Sequence, residues 1–418
     1  MVFAPLCPNL ICPKPCPVLG GSVLWGKGTE SHLVGNRRKT HANGKGDASC
    51  FPNFGRAVIL PPPPVGTTIK EFNMSGYENM YSFQNLYNAH MAARKGKRDK
   101  SEVIRFEMNL AENLCALQQS LESKTYKPQG YTHFMVYDPK LRSIYAPSYS
   151  DRVVQHCLCD NILTPVIEPR LIYDNAACRV GKGTHFSIYR LSGFMRDFYS
   201  QYADQGYFLK CDLRKYFDTI DHATLKEKML KVFGEGDIFT LLCRIIDSYE
   251  IAPGKGLPLG NQASQWFALL YLDEMDRLIK EKMRVKYYVR YMDDFILLHH
   301  SKAYLQECLA RIAELFHHSL HLELNEKTQV FPVKNGVKYL GWHFYLAETG
   351  KVIRKLQTSG KCRTKRRFRR MKKDYAAHAI ELADVKRSLV STRGHLIHGH
   401  TYRLRNKLWE QLVLTRLT

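Results

Sequence analysis

No run of about 18 apolar residues occurs in the 418-residue chain, so no membrane-spanning helix is expected, and the partners sought below include no membrane. Acidic residues are scarce: 39 Asp and Glu face 62 Lys and Arg, leaving a formal charge of +23. An imbalance of that size points to a polyanion, either nucleic acid or an acidic membrane surface. No CxxC pair is present. Cys7, Cys12, Cys16 and Cys50 are spaced too loosely for a zinc knuckle, and a chain this long needs no disulfide staples. Cys115, Cys157, Cys159, Cys211, Cys243 and Cys308 sit singly in apolar segments, where thiols serve as small buried hydrophobes in a reducing cytoplasm. No basic segment precedes the short apolar stretch near the N-terminus, which argues against a signal peptide.

Residues 1–73 are rich in Pro, Gly and Cys, contain the run Pro61–Pro64 and show no apolar period. They read as a disordered or atypical leader, or as codons upstream of a start at Met74. From about residue 75 the apolar spacing becomes helical, interrupted by the basic turn Lys95–Lys100. Residues 130–150 suggest a hairpin, DRVVQHCLCDNILTPVIE a helix, and Ser187–Tyr202 another. GYFLKCDL reads as a short buried strand, and VKYYVRYMDDFILLHH as a strand pair with an acidic doublet at its centre. Mixed strands and helices in this order predict an α+β fold with antiparallel pairing. Beyond about Val352 the pattern is helical and strongly basic.

Asp212 ends one apolar strand, and Asp293 and Asp294 lie between two others. Acids set between hydrophobic strands cost stability unless their charge is used. Nucleotidyl transfer uses such a set: two divalent ions about 4 Å apart, held on carboxylate oxygens from rigid backbone. A polar hairpin tip would explain the doublet but not a matching acid on a second strand.

Tyr291-Met292-Asp293-Asp294 inside a hydrophobic hairpin resembles the signature of reverse transcriptases, and neighbouring motifs follow in the expected order. The resemblance implies a right-hand polymerase: fingers over residues 74–205, a ferredoxin- or RRM-like palm over 206–350 and a basic helical thumb over 351–418. It implies catalysis by Asp212, Asp293 and Asp294 with two Mg2+ ions, for which Mn2+ can substitute. The metal donors would be these three carboxylates and Leu213. Phe217, five residues after Asp212, would pack under the incoming sugar and reject a 2′-hydroxyl. Gly260 would admit template and nucleotide to the backbone, with Ser264 and Gln265 facing them. Lys327 would contact the triphosphate, and Tyr339 and Gly341 belong to a primer-gripping hairpin. Arg142 and Arg179, with Lys140 and Lys182, are candidates for phosphate contacts, since guanidinium binds phosphate through two parallel hydrogen bonds. Asp151 and Arg152 could instead pair internally. KLQTSGKCRTKRRFRRMKK carries ten basic residues in 19 and no acid, as expected of a thumb helix tracking phosphates. His395, His398 and His400 lack acidic or Cys neighbours at ligand spacing and read as packing or RNA contacts.

Leu259-Gly260-Asn261-Gln262-Ala263-Ser264-Gln265 departs from the Gln-Gly and Ser-Pro of group II intron enzymes. It resembles diversity-generating retroelement reverse transcriptases, a likeness spanning about residues 75–418. That resemblance implies a template-repeat RNA, a DNA or RNA primer, dNTPs and a small basic accessory variability protein, with errors concentrated at template adenines. Two alternatives stay open: an antiphage defence reverse transcriptase acting on a non-coding RNA, and a catalytically silent RNA-binding scaffold. No ribonuclease H-like or Cys-rich endonuclease segment is recognised, and the thumb lacks the Val-Thr-Gly of retron enzymes.

Overall fold

Strand β3, Tyr207–Cys211, is apolar at consecutive positions because the sheet around it is covered on both faces. In the computed structural model, which describes residues 76–137 and 140–416, β3 is central in a four-stranded antiparallel sheet. The sheet order is β4–β5–β3–β6, with β4 Tyr287–Tyr291, β5 Asp294–His299 and β6 Gln329–Pro332. Successive side chains alternate between two cores. Leu209, Cys211, Tyr288, Phe295 and Leu297 join one core, with helices Tyr149–Leu158, His222–Phe233, Gln262–Tyr271 and Lys302–Leu315. Phe208, Tyr287, Val289, Ile296 and Leu298 join the other, with helix Thr184–Tyr202 and the C-terminal helices. A sheet buried on both faces needs near-continuous apolar strands, which is how FILL and YYV read.

The α+β expectation with antiparallel pairing therefore holds. The hairpin expected over 130–150 is β1 Tyr131–Val136 with β2 Arg142–Pro147, a separate two-stranded ribbon. It follows N-terminal helices Phe83–Ala93, Ser101–Met108 and Leu110–Glu122, whose buried faces (Leu86, Val103, Leu114, Leu121) share the first core. The helix expected from Ser187 begins at Thr184.

Other expectations need correction. Residues beyond Val352 are not helical at once. Val352–Leu356 form strand β9, paired with β8 Trp342–Leu346, and the basic helix starts at Thr358. Val352 and Leu356 are buried while the residues between them are partly or fully exposed, so packing on one side decides for strand over basic composition. A boundary at residue 351 would cut the three-stranded sheet β7–β8–β9, with β7 Val337–Tyr339. Asp151 and Arg152 do not pair with each other. Asp151 accepts from the Tyr126 hydroxyl at 2.7 Å and the Gln129 N–H at 2.8 Å, while Arg152 reaches Glu102 at 2.7 Å. Neighbours on a helix point in different directions, so each finds a distant partner. Cys115 is exposed and Cys243 only half-buried, unlike Cys157, Cys159, Cys211 and Cys308. The leader, with Cys7, Cys12, Cys16 and Cys50, lies outside the described residues. Among the described residues no helix is long and apolar enough to cross a membrane.

Under the sheet lies a fully buried ion pair. Arg290 of β4 donates to both oxygens of Asp276, from Nε at 2.8 Å and Nη2 at 2.6 Å. The Tyr288 hydroxyl adds a bond to Asp276 Oδ1 at 2.5 Å. Burial works against the charge on Arg290, but Asp276 more than offsets it, so its proton is held more tightly than usual. Arg290→Met would strand the Asp276 carboxylate; we expect a loss of about 3–5 kcal/mol in urea-unfolding stability. Arg290→Met with Asp276→Leu should recover most of that loss, and a double variant as unstable as the single one would contradict the assignment.

Candidate active site

Strand register builds the acidic cluster. β4 and β5 close on the pair Tyr291–Asp294, leaving Met292 and Asp293 as a two-residue loop. Met292 has φ +56°, a left-handed conformation that costs a non-glycine residue about 1–3 kcal/mol. Arg290 Nη1 donates to the Met292 carbonyl at 3.1 Å, so the buried cation braces this turn from beneath. On the other side of β5, Cys211 of β3 pairs with Phe295. One step beyond that pair, Asp212 and Asp294 fall side by side. The three carboxylates lie near enough for Asp212 to raise the proton affinity of both Asp293 and Asp294.

Burial is the larger cause. Asp294 stands at about 6 as the net result: burial raises it most, Lys210 pulls it down, and Asp212 and Asp293 push it up. Asp293 is also raised, by burial first and Asp212 second, against the pull of Arg142 and Lys140. Lys210 Nζ donates to Asp294 Oδ1 at 2.9 Å. The Asp212 carbonyl accepts from Asn325 N–H, and Arg214 N–H donates to Glu323, so the edge of residues 212–214 alternates toward that segment. Leu213, between them, therefore turns its carbonyl to the opposite edge, where β5 and the acidic turn lie. Its side chain is buried, so only that carbonyl could serve a metal.

Hard carboxylate and carbonyl oxygens, crowded and short of water, suit a hard divalent cation by donor type. Among the described residues no three His, Cys, Asp or Glu side chains are gathered closely enough to hold a metal by themselves. The set is thus adjacent but not closed into a cage, with one Asp294 oxygen engaged by Lys210.

The remaining sequence-predicted residues divide. Lys140 and Arg142, at the entry to β2, act electrostatically on Asp293 and belong with the cluster. Lys327 is exposed in the turn before β6, where its N–H donates to Asn325 Oδ1 at 3.1 Å. Phe217 is half-buried at the end of the Asp212 segment, edge-on to Tyr216, with centroids 5.7 Å apart. Tyr339 is fully buried, sharing a 2.7 Å hydrogen bond with Ser187 Oγ. Gly341 is exposed at the β7–β8 turn, with φ +84°.

Three residues differ from expectation. Arg179 does not offer its guanidinium to a ligand: it bonds Glu168 at 3.1 Å and the Ile172 and Asn175 carbonyls at 2.8 and 3.2 Å, bracing its own loop. Ser264 is buried rather than facing a ligand, because the first turn of helix Gln262–Tyr271 packs inward. Gly260 admits a neighbour of its own chain, since a Cβ there would lie 2.9 Å from Ile144 Cγ2 of β2. Gln265 is half-buried and accepts from Cys178 Sγ. Lys182 donates to the Tyr173 carbonyl, and burial lowers its pKa to about 8. His398 is half-buried and stacks on His185 at 3.6 Å, while the exposed His400 accepts from the Arg354 N–H.

The motif reading passes over Lys210 and Arg290. A lone cation inside an apolar strand signals a buried partner, and Lys210 shares a face with Asp212 by the two-residue period. Neither signal names the partner.

Residues 127–344, just over half of the chain, match the family described as "Reverse transcriptase (RNA-dependent DNA polymerase)". The chain belongs to the reverse transcriptase family. That places it among RNA-directed DNA polymerases, nucleotidyltransferases with the right-hand fold. Among curated relatives, this reverse transcriptase is 25% identical to protein YkfC of Escherichia coli K12, over 56% of this chain and 72% of that protein. It is 21% identical to the group II intron-encoded protein LtrA of Lactococcus lactis subsp. cremoris, over 65% of this chain and 56% of LtrA. Solved structures that align with part of the chain include telomerase from Candida albicans with a telomeric RNA fragment (14% identity, TM-score 0.42, 58% of this chain and 49% of that one). Apo telomerase from Candida tropicalis aligns likewise (16%, TM-score 0.42, 57% and 50%). The chain thus spans little more than half of LtrA and about half of the telomerase chains.

The raised Asp294 value sets a pH signature for this reverse transcriptase without metal. Its proton is held in the folded state up to about 6, whereas the unfolded carboxyl releases it near 3.8. Ionisation therefore costs stability progressively between those values and fully above the higher one. In EDTA, we expect Asp294→Asn to stabilise the fold by about 1–3 kcal/mol at pH 7–8. The gain should shrink as pH falls through 6 and vanish near 4. A pH-independent difference in thermal-melt midpoints would contradict this.

Proposed function

We propose that this chain copies a structured retroelement RNA into cDNA, with errors concentrated at template adenines. The observation that carries the polymerase reading is the meeting of Asp212 with Asp293 and Asp294 at one end of the sheet, with Lys140 and Arg142 acting on the same acids. Bound Mg2+, or Mn2+ in its place, would activate the primer 3′-hydroxyl and neutralise charge on the departing pyrophosphate. Asp212, Asp293, Asp294 and the Leu213 carbonyl would hold the ions. Arg142 and Lys140 would meet the triphosphate, with Lys327 at the far side. Phe217 would lie under the sugar, and the β7–β8 hairpin of Tyr339 and Gly341 would bear on a DNA or RNA primer.

In this reading residues 74–205 act as fingers, 206–350 as palm and 351–418 as thumb, with β9 belonging structurally to the palm side. Helix Thr358–Ala376 would follow the template–primer phosphates, since it exposes its basic residues and buries Phe368 and Met371. The adenine bias rests on the Leu259–Gln265 segment and its resemblance to diversity-generating enzymes. Leu259 is tied to the fingers ribbon, because its carbonyl accepts from Tyr145 N–H at 2.9 Å. The corresponding partners are a template-repeat RNA and a small basic accessory protein. Buried thiols Cys157, Cys159, Cys211 and Cys308 form no disulfide, which accords with work in the cytoplasm.

Two experiments test this. Extension of a primed RNA template with Mg2+ should fall by several orders of magnitude in Asp293→Ala. Equal extension by both proteins would remove the assignment, and silence of the wild type would favour an RNA-binding scaffold. Leu259→Gln or Gln265→Pro should lower misincorporation opposite adenine in deep-sequenced cDNA while leaving the other template bases nearly unchanged. A wild-type error spectrum without adenine bias would leave instead a defence enzyme acting on a non-coding RNA.

A further inference from the structure

Lys210 lies on β3 two residues before Asp212, on the face that carries Phe208 into the second core. Its cross-strand partner is Ile296, which makes Asp294 its diagonal neighbour on β5. The ammonium spans two acceptors: Asp294 Oδ1 at 2.9 Å and the main-chain carbonyl of Lys338, also at 2.9 Å. It stands 5.9 Å from the centroid of the Tyr339 ring. Lys338 and Tyr339 belong to β7, in a sheet that shares no strand pairing with the sheet of Asp212 and Asp294. Tyr339 is fixed from behind by Ser187 of helix Thr184–Tyr202.

One side chain therefore joins the acidic turn to the β7–β8 hairpin. The Lys210 side chain is half-buried between the two elements. We propose that Lys210 is a positioning residue that sets the distance between the β7–β8 hairpin and Asp294, and so aligns a primer terminus held on that hairpin with the acidic cluster. This rests on the reading of β7–β8 as a primer-binding element. A cation that only balanced the charge of Asp294 would need no second bond to a carbonyl on another sheet. With that bond, losing the ammonium frees the hairpin as well as the carboxylate.

The test uses the full chain, an RNA template with an annealed DNA primer, and two separate readouts. The first is hybrid affinity by fluorescence anisotropy in EDTA, where no turnover occurs. The second is steady-state extension with Mg2+, resolved into KM for primer–template, KM for dNTP and kcat. Lys210→Met keeps the stem and removes the donors; it should weaken hybrid binding and raise primer KM by about tenfold, with dNTP KM little changed. Lys210→Arg, whose fork can reach both acceptors, should recover most of the loss. Lys210→Gln, which retains a short donor, should fall between the two and decides the matter if the Met variant folds poorly. Hybrid affinity within about twofold of wild type in both Met and Gln variants would overturn the proposal, as would a loss confined to kcat. A wild type that binds hybrid but never extends it would refute the polymerase reading alone, since the binding arm still decides Lys210.

Discussion

The structure turns on negative charge gathered where water is scarce. Two unit charges about 5 Å apart in a medium of effective dielectric about 20 repel by roughly 3 kcal/mol, comparable to the strength of a buried hydrogen-bonded pair. Asp212, Asp293 and Asp294 do not come together by attraction. Backbone register forces them together: Cys211 must face Phe295, and Tyr291 must face Asp294, so the acids have nowhere else to go. The cations around them have distinct tasks. Arg290 pairs with Asp276 and braces the acidic turn by holding the Met292 carbonyl. Lys210 engages Asp294 directly, while Arg142 and Lys140 act on Asp293 from another ribbon of the chain.

Such a cluster needs a frame that does not yield to repulsion, and the two-sided sheet provides one. Each strand of the central pair is wedged between cores, with Leu209 and Leu297 on one side and Phe208 and Leu298 on the other. A shift of register by one residue would exchange the two sets and put Lys210 into the first core. The left-handed turn at Met292 persists for the same reason: the strands that flank it and the buried guanidinium below it leave no alternative.

Much of this was legible in the residues. FLKCDL and the FILL run announced strands covered on both faces, and the acidic doublet between apolar runs announced a costly turn. What escaped the sequence were partners separated by long stretches of chain. Arg179 looked like a phosphate ligand because Arg is good at that task, yet Glu168 and two carbonyls claim it first. The resemblance set Ser264 facing template and nucleotide, but helix Gln262–Tyr271 is apolar nearly all round and buries Ser264 in its first turn. Val352–Leu356 carries Arg354 and Lys355 and merges by composition with the basic helix after it. Only the register with β8 reveals the strand. In each case local pattern fixed the residue's chemistry and tertiary packing chose its use.

Gly260 shows how that choice can link sites that look independent. Its positive φ and the 2.9 Å approach to Ile144 leave no room for a side chain, and the adjacent Leu259 carbonyl is bonded to Tyr145. The β1–β2 ribbon and the loop entering helix Gln262–Tyr271 are therefore tied together at this point. Arg142 begins β2 three residues before Tyr145, so its position relative to Asp293 is set partly by the same loop that presents Leu259 and Gln265. A change in that loop therefore bears also on the cation beside the acids. The loop entering helix Gln262–Tyr271 and the ribbon that carries Arg142 are linked in this fold through one glycine and one main-chain hydrogen bond.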